Sequence, residues 1–509
     1  MLDIAVQWNL KGTTLGGWYA IVRNGTLHGL IIWAISLVLG KFSRWLYVPM
    51  FCWMIFILMI EWFIRINFNM ALKGDIMLFL AGTSRDEVRG FITQFLTVGT
   101  IGLFILSMGV LVGGEWFLFK ARYGKIGFIK VLLGCLVVGG VMHNVGLEPW
   151  AVSSYFRFFD GLICKAIVTD SIVRGAEWRN LAEVCHGSLN STNFFSKVVP
   201  GKEPLGVIVI GESATRNHMH LYGYPRETTP WADSMTSELI VFSNLLGSAS
   251  HTQLALKDFL TDAEVVGDGR ISYTLPQVVQ KFGYASGLVS AQGSWGCGHC
   301  DSYAATIFNN LDQKIYLDNV TNIWPKYDSL LFPYAFKMID AFPKKKPAIL
   351  FLHLLGSHYD FKYRYPSEKA KWMGRNKIDQ YDNSIAYTDL ILSNIVSKIK
   401  DQKRVSFVLY LSDHGESPSS AAHRDQSDLD VWELPLFMWF SPEYKDVYPD
   451  TIRRVKACTG KPLQLDQLMV GILEIMQIAV VDDQKSFLSE NFKFRSPRFI
   501  KRGDVVYKD

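Results

Sequence analysis

Cysteine is scarce in this chain, seven residues in 509, so a disulfide framework does not hold it together. One CxxC occurs, at Cys297 and Cys300. With no second pair to complete a zinc knuckle, a local disulfide in an oxidising compartment is the expectation. Cys52, Cys135 and Cys164 lie in apolar context and read as plain buried thiols. Charge is thin as well. Asp, Glu, Lys and Arg make up 19% of residues, the net charge is only +5, and no basic block stands out. That sets aside nucleic-acid binding. Internal repeats and low-complexity segments are absent. A cleavable signal peptide is not expected either, because the first residues are too polar and lack a small-residue cleavage site.

What is present in excess is apolar surface, 49% of residues, concentrated toward the N-terminus. A membrane span needs about 20 mostly apolar residues. Segments near Trp18–Leu39, Leu46–Ile66, Phe91–Phe119 and Gly127–Leu147 meet that requirement. Lys41 and Arg44 follow the first segment, and Lys120, Arg122 and Lys125 follow the third. Placing these basic loops in the cytoplasm puts everything after residue 147 outside, which in a Gram-negative cell would be the periplasm. The stretch Asn67–Arg89 reads as an interfacial helix or as a lipid-headgroup loop, with Thr83 and Glu87 one helical turn apart. The expected organisation is a transmembrane helical domain over 1–150, an aromatic interfacial bridge over 151–201, and a catalytic α/β domain over 202–509. The basic, aromatic tail from Lys485 reads as a surface strap.

From Lys202 the pattern changes to apolar runs separated by helical stretches, the signature of an α/β layered domain. Strands are expected at Val207–Ile210, Leu239–Phe242, Tyr284–Ser290, Ala348–His353, Val405–Leu411 and Leu434–Phe440. Helices are expected at Leu275–Lys281 and Tyr381–Lys400, the latter with an apolar face of Ile385, Leu390, Ile391, Ile395 and Ile399. Unbroken Val, Ile and Leu runs fit strands buried on both faces of a parallel sheet. Ligand sites of such sheets lie beyond the carboxyl ends of the strands.

Two runs stop at chemistry. VIVIGES ends on Glu212, and VLYLSDHGES carries Asp413 and His414. Hard oxygens beside an imidazole nitrogen suit zinc, and three protein ligands leave a fourth position open. A water there makes a hydrolase; a side-chain hydroxyl makes a covalent transferase. The candidate hydroxyls follow another strand: Thr252, with Ser248 and Ser250 as competitors. Thr252 precedes an apolar periodic run, so it is expected as a helix N-cap, where the helix dipole also favours a phosphate. His353, His358 and His423 fall on loops at the same expected edge, where an imidazole can protonate a leaving alkoxide.

VIVIGESATRNHMHLYGYPRETTP, LHLLGSHYDFKYRYP, YDNSIAYTD and LYLSDHGES together resemble the phosphoethanolamine transferases of Gram-negative inner membranes, in the alkaline phosphatase and sulfatase superfamily. The resemblance is greatest to the branch that modifies heptose in the lipopolysaccharide core. It implies a sulfatase-like α/β fold, phosphatidylethanolamine as donor, a lipopolysaccharide sugar as acceptor, and a phospho-threonine intermediate. Carried over by motif, the zinc ligands are Glu212, Thr252, Asp413 and His414, with Thr252 as nucleophile. His358 and His423 match histidines near the phosphate and leaving group, and Thr83 and Glu87 match polar residues of the headgroup loop. Three features depart from the family: four spans are counted here against its usual five, Phe79 stands where it has an asparagine, and its several disulfides are not evident, Cys297 and Cys300 being the only local pair. His251 has no counterpart that assigns it a role.

Competing readings are transfer to lipid A, periplasmic glucan or protein, a related transferase using phosphatidylglycerol, and a sulfatase-like phosphodiesterase ending in water. A non-enzymatic scaffold is disfavoured because every expected zinc ligand is present.

Overall fold

The computed structural model of the chain describes residues 180–507, apart from 188, 190–192, 266–268, 295–302, 322, 324, 375, 421–426 and 501–504. The four expected spans, Thr83, Glu87, Cys297, Cys300 and His423 lie outside the described residues. Among the described residues no helix is long and apolar enough to cross a membrane.

In chain order the strands are β1 (Phe194–Ser196), β2 (Leu205–Gly211), β3 (Leu239–Leu246), β4 (Ala285–Ser290), β5 (Gln313–Tyr316), β6 (Ala348–His353), β7 (Ser406–Ser412), β8 (Glu433–Phe440), β9 (Leu463–Gln464) and β10 (Ile478–Val480). A terminal hairpin adds β11 (Arg498–Ile500) and β12 (Val505–Tyr507). The main sheet has eight strands in the order β5-β4-β6-β2-β7-β8-β3-β9. All six expected strands are present. The sheet is parallel except at β8, which runs antiparallel to both β7 and β3. The short β5 and β9 carry little apolar signal of their own and join as edges.

Both faces of this sheet are covered, which is why β2 and β7 show no alternation. Val207, Val209, Leu350, Leu352, Val408 and Tyr410 pack in one core with the helices Phe332–Ala341 and Lys377–Lys400. On the other face Phe351 meets Phe308, and Phe407 meets Tyr444. Full burial of each β2 aliphatic stabilises the fold by about 1.5–3 kcal/mol.

The helix expected at Leu275–Lys281 has those bounds and is closed by a Thr274–Gln277 capping box. The long helix starts earlier than expected, at Lys377, because the Asn376 side chain caps the Asp379 N–H. Its buried face includes Tyr381, Ile385, Ile391, Leu392, Ile395, Val396 and Ile399. Leu390, expected on that face, is 39% exposed. It sits about 100° around the helix from Ile391, off the buried stripe.

The bridging segment enters the described region at residue 180, and its β1 pairs with β10. The tail is strapped down: Arg495 pairs with Asp466 and Gln464, and buried Arg498 donates to the carbonyls of Asn244 and Leu463.

Candidate metal centre

The register of the sheet brings the two chemical segments together. β2 lies between β6 and β7, and Gly211 pairs with Ser412. The next residues, Glu212 and Asp413, therefore emerge side by side at the carboxyl edge, with His414 following. Ligand atoms of Glu212, Asp413 and His414 all lie within 4.8 Å of one another, and all three residues are buried. β3, β4 and β6 deliver to the same edge. They contribute the segment leading to Thr252, the residue Gln292 and the loop from Leu354 to His358.

His414 Nδ1 lies 2.8 Å from the Gly415 carbonyl. A carbonyl only accepts, so Nδ1 carries a proton, which leaves Nε2 as the ring atom available to a metal. That atom faces Glu212 Oε1 at 3.2 Å and Asp413 Oδ2 at 3.5 Å. Asp413 Oδ2 is buried and accepts no hydrogen bond from the protein. Burial, and then the Glu212 charge beside it, push the Asp413 carboxyl well above the ordinary carboxylate range. Acceptors converging in a dry site call for positive charge, and two carboxylates with an imidazole nitrogen fit a divalent cation.

The remaining donors are fixed by neighbouring loops. Glu212 Oε1 accepts from Ser213 Oγ at 2.6 Å. Glu212 Oε2 accepts from Thr252 Oγ1 at 2.8 Å and from Gln292 Nε2 at 3.0 Å. Asp413 Oδ1 accepts from the backbone N–H groups of Ser213 and His414. Gly356, at φ +48, packs its backbone so closely that a Cβ there would lie 2.7 Å from the Glu212 carbonyl oxygen. Asp328 holds this loop by accepting from Leu355 and Gly356 N–H, and burial raises its carboxyl to about 6.

Thr252 is the first residue of the helix Thr252–Leu260, and His251 is its N-cap, correcting the expectation that Thr252 caps the helix. The reason is visible in the hydrogen bond: its hydroxyl points at Glu212, not back at the helix N–H groups. Of its competitors, Ser250 Oγ bonds His251 Nδ1 at 2.9 Å, and Ser248 Oγ is buried with no hydrogen-bond partner. His358 follows Ser357, whose N–H donates to the Glu212 carbonyl, and its Nδ1 bonds the Tyr359 carbonyl. It lies on the correct loop but outside the three-residue cluster. His353 Nδ1 lies 3.3 Å from Ser290 Oγ, and burial lowers its pKa to about 4, so the ring is neutral.

Gln292, Asp328 and Tyr381 were not anticipated as site residues. Gln292 had a signal, its place just beyond an expected strand; Asp328, in a loop, had none. The stretch LYGYPRETTP serves the scaffold. Tyr224 and Arg226 both bond Asp382 on the long helix, which also receives His218. Asp389 accepts from the Trp231 and Ala232 N–H groups.

A mostly parallel α/β sheet with a carboxylate–imidazole cluster beyond its strand ends, and a hydroxyl against that cluster, defines the class as an α/β enzyme with a candidate divalent-metal site. The chain belongs to the sulfatase family, which it matches over residues 204–478. It is 24% identical over 422 residues to phosphoethanolamine transferase EptC of Escherichia coli K12, covering 75% of this chain and 72% of that one. The C-terminal periplasmic domain of E. coli EptC, solved in complex with zinc, superposes with a TM-score of 0.56 at 24% identity. That match covers 63% of this chain and 96% of the domain. The integral membrane lipooligosaccharide phosphoethanolamine transferase A of Neisseria meningitidis gives 0.63 at 18% identity, over 90% of this chain and 87% of that one. These relatives are of the kind that the sequence motifs resemble.

Proposed function

We propose that this protein transfers phosphoethanolamine from phosphatidylethanolamine to lipopolysaccharide, with Thr252 as the nucleophile and a core heptose as the acceptor sugar. The observation that carries the reading is the Thr252 hydroxyl, held at the start of a helix and 2.8 Å from Glu212 Oε2. Glu212, Asp413 and His414 would hold a zinc ion, with Thr252 completing the set. When bound, zinc supplies positive charge that favours loss of a nearby hydroxyl proton and offsets charge on phosphoryl oxygens.

The chain's own residues supply the rest. Thr252 Oγ1 forms a bond to phosphorus while the bond from phosphorus to the glycerol oxygen breaks. The threonine proton is directed at Glu212 Oε2. Diacylglycerol leaves with a proton from His358 or His423. The acceptor hydroxyl then attacks the phospho-threonine and gives its proton to the histidine left deprotonated in the first step, while the phosphorus–oxygen bond to Thr252 breaks and the threonine takes its proton back from Glu212. The positive end of the Thr252–Leu260 helix favours the phosphate throughout.

In the same reading residues 1–150 span the inner membrane, 151–201 lie along its outer leaflet, and 202–509 work in the periplasm. Thr83 and Glu87 face the ethanolamine headgroup. The apolar N-terminal segments and the membrane-embedded relative support this arrangement. The test incubates the full chain, zinc and headgroup-labelled phosphatidylethanolamine with lipopolysaccharide. Label on the lipopolysaccharide, matched by released diacylglycerol, is the expected result. Label released as free phosphoethanolamine at the same rate with and without acceptor indicates a hydrolase and overturns the proposal.

A further inference from the structure

Ser213, between Glu212 and the turn that follows it, has φ +56. A non-glycine residue in the left-handed region carries strain, and such strain persists only where the surroundings enforce it. The Tyr381 hydroxyl holds both sides of this turn: it donates to the Ser213 carbonyl at 2.8 Å and accepts the Thr215 N–H at 2.9 Å. Those two bonds bracket the turn. Tyr381 is fully buried, and its ring is wedged between Phe361, at 5.0 Å, and His218, at 5.1 Å. Burial holds the phenol well above its ordinary pKa, so it stays protonated and able to donate.

The turn matters because Ser213 joins the two carboxylates. Its hydroxyl donates to Glu212 Oε1 and its N–H to Asp413 Oδ1. Rotating Ser213 out of the left-handed region breaks both bonds at once. Ser412 Oγ adds a second tie, donating to the His414 carbonyl and accepting the Ala214 N–H. The same stretch of helix also grips the loop of His358, through Ser384 Oγ to Ser357 Oγ at 2.8 Å.

We infer that Tyr381 is a positioning residue for the metal donor set: its hydroxyl locks Ser213 in the left-handed turn that sets Glu212 against Asp413. The inference rests on the reading of Glu212, Asp413 and His414 as metal ligands. Tyr381 touches neither ligand atoms nor substrate. Its effect is on how closely the apo site is arranged for the cation.

The test measures zinc affinity of the full chain by competition with a chelating dye, together with kcat, KM and the melting temperature without metal. Tyr381→Phe keeps the ring and removes both bonds. Its zinc affinity and kcat are expected to fall about tenfold, with KM for phosphatidylethanolamine unchanged. Ser213→Gly adopts φ +56 without help. In that background Tyr381→Phe is expected to change zinc affinity no more than about threefold. The relaxed turn also keeps the comparison available should Tyr381→Phe alone fail to fold. Equal losses in both backgrounds, or an unchanged affinity in the single variant, overturn the inference. A wild-type chain that binds no zinc overturns the metal reading itself and this inference with it.

Discussion

The Thr252 hydroxyl donates to Glu212 Oε2 at 2.8 Å, although the two residues lie forty positions apart and follow β3 and β2, strands separated by two others. Gln292 Nε2 donates to the same oxygen. Glu212 is thus gripped at both oxygens by the protein itself, and the proposed nucleophile is one of the groups that grip it. Removing the hydroxyl is expected to abolish transfer without unfolding the protein. Thr252→Ala should lower kcat/KM by about 10³-fold or more, since a neighbouring side chain cannot substitute for the attacking oxygen. Thr252→Ser should retain measurable activity. Steady-state transfer rates, with circular dichroism as the folding control, check both.

Metal removal should act on stability as well as on activity. A cation bound only by the folded state stabilises it by about 4 kcal/mol when the free ion is about 1,000-fold above its Kd. Chelation should therefore lower the melting temperature of the wild type and abolish transfer, with zinc restoring both. His414→Ala should melt at the same temperature with and without chelator. A chelator-sensitive melt in that variant would count against the proposed ligand set.

Gly356→Ala should be costly for two separable reasons, the positive φ and the 2.7 Å approach to the Glu212 backbone. Gly201 has φ +79 but nothing within 4 Å of its would-be Cβ. Gly201→Ala should cost about 1 kcal/mol from strain alone. Gly356→Ala should cost at least about 2 kcal/mol more and weaken zinc binding, because the clash is with backbone that cannot step aside. Denaturant melts of the two variants give the comparison.

The Asp389 carboxyl is raised to about 7, first by burial, against the two backbone N–H groups that lower it. The folded state therefore binds this proton more tightly than the unfolded chain does. Its stabilising contribution is full below about pH 4, where both states are protonated. It is lost as pH rises toward 7, by an amount on the order of a few kcal/mol. Asp389→Asn should remove this component. The stability of the zinc-loaded variant should fall less than that of the wild type between pH 4 and pH 7; an identical pH profile would refute the assignment.

Asp382 is fully buried and receives His218, Tyr224 and Arg226. Asp382→Ala should cost about 3 kcal/mol by leaving these donors without their acceptor. Zinc stoichiometry per folded molecule should remain unchanged, because the cluster ties the loop after β2 to the long helix and does not enter the donor set. Unfolding curves and metal analysis of the folded fraction test this.

Much of the catalytic half was legible because its signals are local. Apolar runs marked all six expected strands, and the residues at the ends of β2 and β7 marked the carboxylate–imidazole cluster. Sheet order was not legible, because neighbours are set by crossovers that leave no trace in strand composition. That is why antiparallel β8, with its fully apolar inner run, read like its parallel neighbours. Leu390 was misplaced because a helix face is blurred where two apolar residues are adjacent. Thr252 was assigned to the correct helix end but the wrong position, since its partner Glu212 is distant in sequence. Asp328 and Tyr381 escaped notice for the same reason: their targets are backbone groups of remote loops.

The central claim is that Thr252 carries the phosphoethanolamine between donor and acceptor. The most direct measurement is tandem mass spectrometry of the full chain, quenched after brief incubation with zinc and headgroup-labelled phosphatidylethanolamine in the absence of acceptor. The account predicts a labelled phosphoethanolamine group on Thr252, lost when lipopolysaccharide is added before the quench. Label on Ser248 or Ser250, or an unmodified chain that still releases diacylglycerol with zinc bound, would contradict it.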